Sequence, residues 1–249
     1  MQIGAQLFTV RDFCKDLDSF SETLKRVADI GYTNVQVSGT CEFEADWLKA
    51  ELAKNGLKCV ITHTPPAKLT GDINKVIRDH IVFDCPHIGF GWQPFTLENY
   101  DDTPKGWIEK YLPIAKKIKE SGRYFMYHNH DQEFKSVDGK LILEHLAESF
   151  APDEMGFTLD TFWVTAGGGD PAQWIERLSG RVPVIHLKDF AYGRKMSVVG
   201  EGNINFDRVF TCAEKAGTKY MLVEQDDCNG EDPFDCLKRS YDYLRSRGF

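Results

Sequence analysis

The chain has 249 residues, 42% of them apolar, and a formal net charge of −8. That length and apolar share suit one sizeable α/β domain, because closed α/β barrels commonly run to about 250 residues. The acidic balance argues against an extended nucleic-acid surface, which needs a basic stripe to neutralise phosphates, but not against a local basic pocket.

Short apolar runs alternate with amphipathic stretches along the whole chain. The runs predict strands at Gln2–Phe8, Asn34–Val37, Lys58–His63, His87–Phe90, Tyr124–Asn129, Gly156–Asp160, Val184–Leu187 and Lys219–Glu224. Helices are predicted after them at Asp18–Ile30, Glu44–Asn55, Asp72–Asp79, Thr103–Ser121, Leu141–Phe150, Pro171–Leu178, Phe206–Ala216 and Pro233–Arg247. Gly31, Gly56, Gly122 and Gly217 follow periodic stretches, as left-handed helix C-caps do. Asp170-Pro171 reads as an N-cap followed by Pro at the first helical position, and Ser19 and Glu22 have capping-box spacing.

Strict βα alternation predicts a parallel sheet with right-handed crossovers, and eight units predict closure into a (β/α)8 TIM barrel. A doubly wound sheet would show a Gly-rich turn after its first strand, and Thr9–Asp16 has none. The longer connections, Gln93–Asp102 and Phe190–Asn205, fall on the face where such barrels carry their chemistry.

Seven cysteines are scattered without a C-x-x-C, which argues against a disulfide scaffold or a zinc knuckle. No apolar run approaches the ~20 residues that cross a bilayer. The first residues pass directly into Ile3-Gly-Ala-Gln-Leu-Phe-Thr9 with no basic region before them. A cytoplasmic protein with no membrane contact and no signal peptide is therefore expected.

Four strand ends carry a potential metal ligand: Glu133, Asp160, His186 and Glu224. Three carboxylates and an imidazole meeting on one face make an oxygen/nitrogen site for a divalent cation. Glu133 belongs to Tyr127-His-Asn-His-Asp-Gln-Glu-Phe134, where His128 and His130 share one side of an extended strand. Lys188 lies two residues beyond His186 and points to the same side, a costly pairing without a function. His63 and Trp92, also at strand ends, read either as substrate walls or as packing residues, and Glu201 either as a loop acid that approaches a substrate or as a solvated turn acid.

These pieces together resemble the sugar-phosphate isomerase/epimerase superfamily, the xylose isomerase-like barrels. The resemblance runs through Ile3–Asp12, His128–Phe134, Leu159-Asp-Thr-Phe-Trp163, His186-Leu-Lys-Asp189, Val199-Gly-Glu-Gly-Asn203 and Val223-Glu-Gln-Asp226. It implies one such domain over residues 1–249 and one divalent ion, Mn, Mg, Co or Zn. The family's ligands fall at Glu133, Asp160, His186 and Glu224. Many relatives carry the first Glu nearer the strand end, where this chain has His128, so His128 and His130 stay open as the first ligand.

The implied activity is isomerisation or epimerisation of a sugar or keto-sugar. Glu133 and Glu224 would move the proton beside the carbonyl, Lys188 would stabilise the enediolate and His130 would shuttle protons. His63, Trp92, His128 and Glu201 would contact a small-molecule carbohydrate. The same deprotonation could instead expel a leaving group from a 3-keto-glycoside or dehydrate a keto-polyol, making a lyase or hydrolase. An abasic-site endonuclease shares the barrel, but the acidic chain argues against it. A non-catalytic sugar-binding barrel predicts ligand binding without turnover. Barrel helices often support homo-oligomers, and no sequence feature marks an interface.

Overall fold

The computed structural model describes residues 1–249 and closes as an eight-stranded parallel barrel. Its strands are β1 Gln2–Gln6, β2 Asn34–Val37, β3 Lys58–His63, β4 His87–Phe90, β5 Tyr124–His128, β6 Met155–Asp160, β7 Val184–Leu187 and β8 Tyr220–Val223. Each strand pairs with its neighbours in sequence, and β8 closes on β1 through Ala5 opposite Val223. The outer ring is α1 Leu17–Ile30, α2 Ala45–Lys54, α3 Ile73–Val82, α4 Pro104–Glu120, α5 Ile142–Ser149, α6 Pro171–Arg177, α7 Phe206–Ala216 and α8 Pro233–Ser246. The predicted single-domain (β/α)8 barrel is therefore the observed fold.

The differences are local. The first strand stops at Gln6, whose side chain accepts from the Phe8 amide and opens a 3-10 turn over Leu7–Phe13. The capping box of α1 is Asp16 with Ser19, three residues before the expected pair. Short helices at Pro66–Gly71 and Thr161–Ala166 fall in connections for which no helix is predicted. The four C-cap glycines all have positive φ, as expected. No helix is long and apolar enough to cross a membrane.

Period-two alternation explains how the barrel interior becomes a site. Val60, Ile61, Met126, Val184 and Leu222 form a small apolar layer inside the barrel. Two residues beyond Met126 comes His128, beyond Val184 comes His186, and beyond Leu222 comes Glu224. Another step of two gives His130, Lys188 and Asp226. The inward-facing ladder thus changes from apolar to polar at the C-terminal rim. The larger apolar cluster packs between strands and helices. Within it, fully buried Trp107 of α4 meets Phe90 at 5.2 Å and Tyr127 at 5.0 Å between ring centroids, which fixes β4 and β5 behind the site.

Asp189, just past β7, organises the long loop that follows. Its buried carboxylate accepts from the amides of Phe190, Gly200, Gly202 and Ile204 at 2.8–3.1 Å. A Cβ on Gly202 would lie 2.4 Å from Asp189 Oδ1, so only glycine lets the loop close this tightly. Asp189→Asn replaces an acceptor by a donor against backbone N–H groups. It is expected to cost about 2–3 kcal/mol and to open the loop to protease. A urea midpoint and cleavage rate equal to wild type would contradict that role.

Candidate metal and active site

His128, Asp160, His186 and Glu224 are buried, and one ligand atom from each lies within 4.8 Å of the other three. This is a group that could hold a metal ion. Strand register contributes directly, since Asp160 pairs with His186 across β6 and β7. Asp160 also caps the following short helix, with Oδ1 accepting from the Trp163 amide at 3.0 Å. Its other oxygen is left for the barrel mouth.

Both imidazoles are pinned from behind by carbonyl oxygens. His128 Nδ1–H donates to the Gly91 carbonyl at 3.0 Å, which turns Nε2 towards Asp160 Oδ2 at 3.2 Å. His186 Nε2–H donates to Gln36 Oε1 at 2.6 Å, which turns Nδ1 towards Glu224 Oε2 at 2.8 Å. His186 Nδ1 and Glu224 Oε2 are buried and make no hydrogen bond with suitable geometry. In the neutral tautomers that donate outward, the ring nitrogens facing these carboxylate oxygens carry lone pairs, and the two repel unless a proton or a cation lies between them. Two imidazoles oriented by outer carbonyls, with two carboxylates, therefore fit a divalent cation by donor type and by these unpartnered atoms.

Lys188 supplies positive charge at the same place. Its Nζ lies 3.1 Å from Asp160 Oδ2, 3.1 Å from Glu224 Oε2 and 2.9 Å from Asp226 Oδ2, and 5.4 Å from the Trp163 ring centroid. Burial disfavours its charge, but the three carboxylates outweigh burial and raise its pKa. Burial likewise pushes Asp160 and Glu224 up, and Lys188 with the imidazoles more than reverses it, holding both below the ordinary carboxylate range. Asp226 goes the other way: burial and the Glu224 charge push it up to about 7 against Lys188. Burial lowers His128, His130 and His63, whereas for His186 the carboxylates of Glu224 and Asp160 overcome burial and raise it.

Glu133 falls outside this group. It lies in a 3-10 turn, Gln132–Phe134, with Oε1 accepting from the Tyr127 hydroxyl at 2.6 Å and Oε2 from the His130 amide at 2.7 Å. The sequence puts the first ligand at Glu133 and leaves His128 a substrate contact with the ligand role open; in the structure His128, not Glu133, stands with the other three. Glu201 is also directed elsewhere, gripped by Arg239 of α8 at 2.9 Å through both oxygens. His63 faces the site: its ring lies 4.9 Å from His128 and 5.7 Å from His186. His130 packs on His128 at 4.6 Å and on Trp163 at 5.1 Å, with Nδ1 unpartnered. Trp92 is exposed beyond β4. Gln36, Asp226 and Trp163 take part without having been singled out from sequence. Gln36, a polar residue inside an apolar strand, gave a usable signal.

Burial pushes Glu133 up to about 7 from 4.5, although Tyr127 and the His130 amide oppose this. Between those values the unfolded chain ionises while the folded chain keeps the proton. Stability therefore falls as pH rises from about 4.5 to 7, by on the order of 3 kcal/mol from this group. Glu133→Gln keeps both contacts, its carbonyl accepting from the His130 amide and its NH2 donating to the Tyr127 oxygen. Urea denaturation from pH 4 to 8 should show that decline reduced in the variant, which should be the more stable protein at pH 8. An unchanged pH profile would refute the assignment.

A family model described as xylose isomerase-like TIM barrel matches residues 24–247. An inosose dehydratase of Mesomycoplasma hyopneumoniae (strain 7448) is 22% identical over 92% of this chain and 88% of its own. A sugar phosphate isomerase/epimerase structure from Parabacteroides distasonis ATCC 8503 superposes with a TM-score of 0.85 at 25% identity, covering 98% of this chain and 93% of its own. An L-ribulose 3-epimerase shares the fold at a TM-score of 0.76 and 15% identity, over 98% of this chain and 93% of its own.

Proposed function

Because the chain belongs to the xylose isomerase-like TIM barrel family, we propose that it is a divalent-metal-dependent enzyme that removes a proton beside the carbonyl of a small polyhydroxylated ketone. The observation that carries this reading is the convergence of His128, Asp160, His186 and Glu224 with the Lys188 ammonium. A cation held by those four side chains would polarise the carbonyl and acidify the neighbouring C–H. Two nitrogen and two oxygen donors favour Mn, Co or Zn over Mg, which prefers oxygen.

The remaining steps belong to the protein. In this reading Glu224 accepts the proton. Lys188 stabilises negative charge on the enediolate oxygen at no cost in reorganisation, because its ammonium is already fixed. Gln36 and the Gly91 carbonyl keep the two imidazoles in the tautomers that present their inner nitrogens. His130 and Trp163 wall the substrate, with His130 Nδ1 free to bind a hydroxyl.

Epimerisation by two carboxylates needs a base on each side of the carbon. Glu133 has both oxygens occupied, so it does not supply the second. That favours β-elimination from the keto-polyol, consistent with the resemblance to an inosose dehydratase. Isomerisation or epimerisation is the second reading, favoured by the close superposition on the Parabacteroides distasonis protein. NMR of Mn-loaded protein with keto-sugars and inososes in D2O tests both. Deuterium uptake beside the carbonyl with loss of a β-oxygen supports elimination, and uptake with a new stereoisomer supports the second reading. No uptake with any of these ketones would contradict both.

A further inference from the structure

A cavity of about 650 Å³ opens beside the site, between the segments that follow β2 and β3 and the helix α3. None of His128, Asp160, His186 or Glu224 lines it, so its volume is additional to the metal position. It lies within the range of about 300–1,000 Å³ that encloses drug-sized molecules. The two compartments share one wall, His63, which lines the cavity and packs its ring against His128 and His186. His63 Nδ1 meets Ser38 Oγ at 3.3 Å, while Nε2 is buried without a partner at this junction.

The lining identifies what would fit. Val37, Phe43, Ala67, Val76 and Phe83 give part of its wall an apolar surface, beside neutral polar groups such as Ser38, Thr40 and Thr64. Its two lysines are already neutralised, Lys68 by Glu42 and Lys75 by Asp79, Asp72 is paired with Arg78 at 3.7 Å, and Glu44 adds further negative charge. No cation is free to bind a phosphate or carboxylate, and the excess of acids repels one.

We propose that this cavity binds a second, non-reacting part of the substrate. That part is a neutral, apolar, ring-shaped substituent joined through oxygen to the polyol at the metal position, with His63 Nε2 at the linking oxygen. The inference rests on the reaction proposed above, and it makes the substrate a glycoside-like molecule larger than a free sugar.

The test is equilibrium binding of matched phenyl and methyl β-glycosides of glucose, galactose and xylose to Mn-loaded protein by calorimetry. At least one phenyl glycoside should bind about tenfold or more tightly than its methyl partner. Ala67→Trp, at an exposed rim position, and Thr40→Trp should each obstruct part of the cavity and reduce that advantage while Mn affinity stays at the wild-type value. Equal binding within every pair would overturn the proposal, and so would an advantage undiminished in both variants. Normal Mn uptake with no phenyl preference removes the cavity's role and leaves the metal reading intact. A phenyl preference reduced in both variants, in protein that takes up no metal, supports the cavity and removes the chemistry assigned beside it.

Discussion

Asp160→Asn is expected to reduce metal-dependent turnover by roughly 10³-fold or more while the barrel stays folded. The asymmetry follows from the two oxygens of this side chain. Oδ1 caps the helix at Thr161–Ala166 by accepting from the Trp163 amide, and asparagine caps helices as well as aspartate does. Oδ2 faces His128 Nε2, His186 Nδ1 and Lys188 Nζ at 3.2, 3.7 and 3.1 Å. An amide there carries no charge for a cation. Circular dichroism should therefore keep the folded signature in the presence of chelator, with a lower melting point because Lys188 loses one of its three carboxylates, and with Mn affinity and turnover both lost. Full activity in this variant would remove the site.

Lys188→Met separates the structural from the chemical role of the lysine. Without the ammonium, Asp160, Glu224 and Asp226 are left close together and mostly buried with no counter-charge. Removing one partner of a buried charge cluster costs about 3–5 kcal/mol. The metal-free variant should thus melt far below wild type. A divalent cation replaces the missing charge, so Mn should restore much of the loss. The Mn-loaded, refolded variant should still show a kcat lower by about 10²- to 10³-fold, because no fixed cation faces the enediolate oxygen. Wild-type kcat in the Mn-loaded variant would make Lys188 purely structural. An equal loss of stability with and without Mn would contradict the shared location of lysine and metal.

Much of this was legible in the sequence, for physical reasons. Strand and helix positions followed from apolar period and glycine caps, and the barrel followed from eight βα units. Asp160, His186 and Glu224 stood out because each is an acid or imidazole at the end of an apolar run, where the inward ladder reaches the rim. Glu133 was harder. Its place in the chain fits a rim acid, but the Gln132–Phe134 turn sends its carboxylate back to Tyr127 and the His130 amide. His128 had the right parity on β5 and takes the place that a loop acid was expected to fill. Contacts between distant segments gave little local signal. The Gly91 carbonyl behind His128 is backbone, and Gln36 lies 150 residues from His186. The grip of Arg239 on Glu201 depends on α8 folding back along the loop, which no local pattern encodes.

The central claim is that His128, Asp160, His186 and Glu224 form one divalent-metal site. The most direct measurement is titration of chelator-stripped protein with Mn(II), with bound metal counted by elemental analysis after desalting. The account gives one ion per chain in the wild type and none retained in Asp160→Asn or Glu224→Gln. It also gives wild-type uptake in Glu133→Gln, whose carboxylate is held away from the four. No uptake by the wild type would contradict it, as would uptake that survives loss of Asp160 and Glu224 but disappears with Glu133.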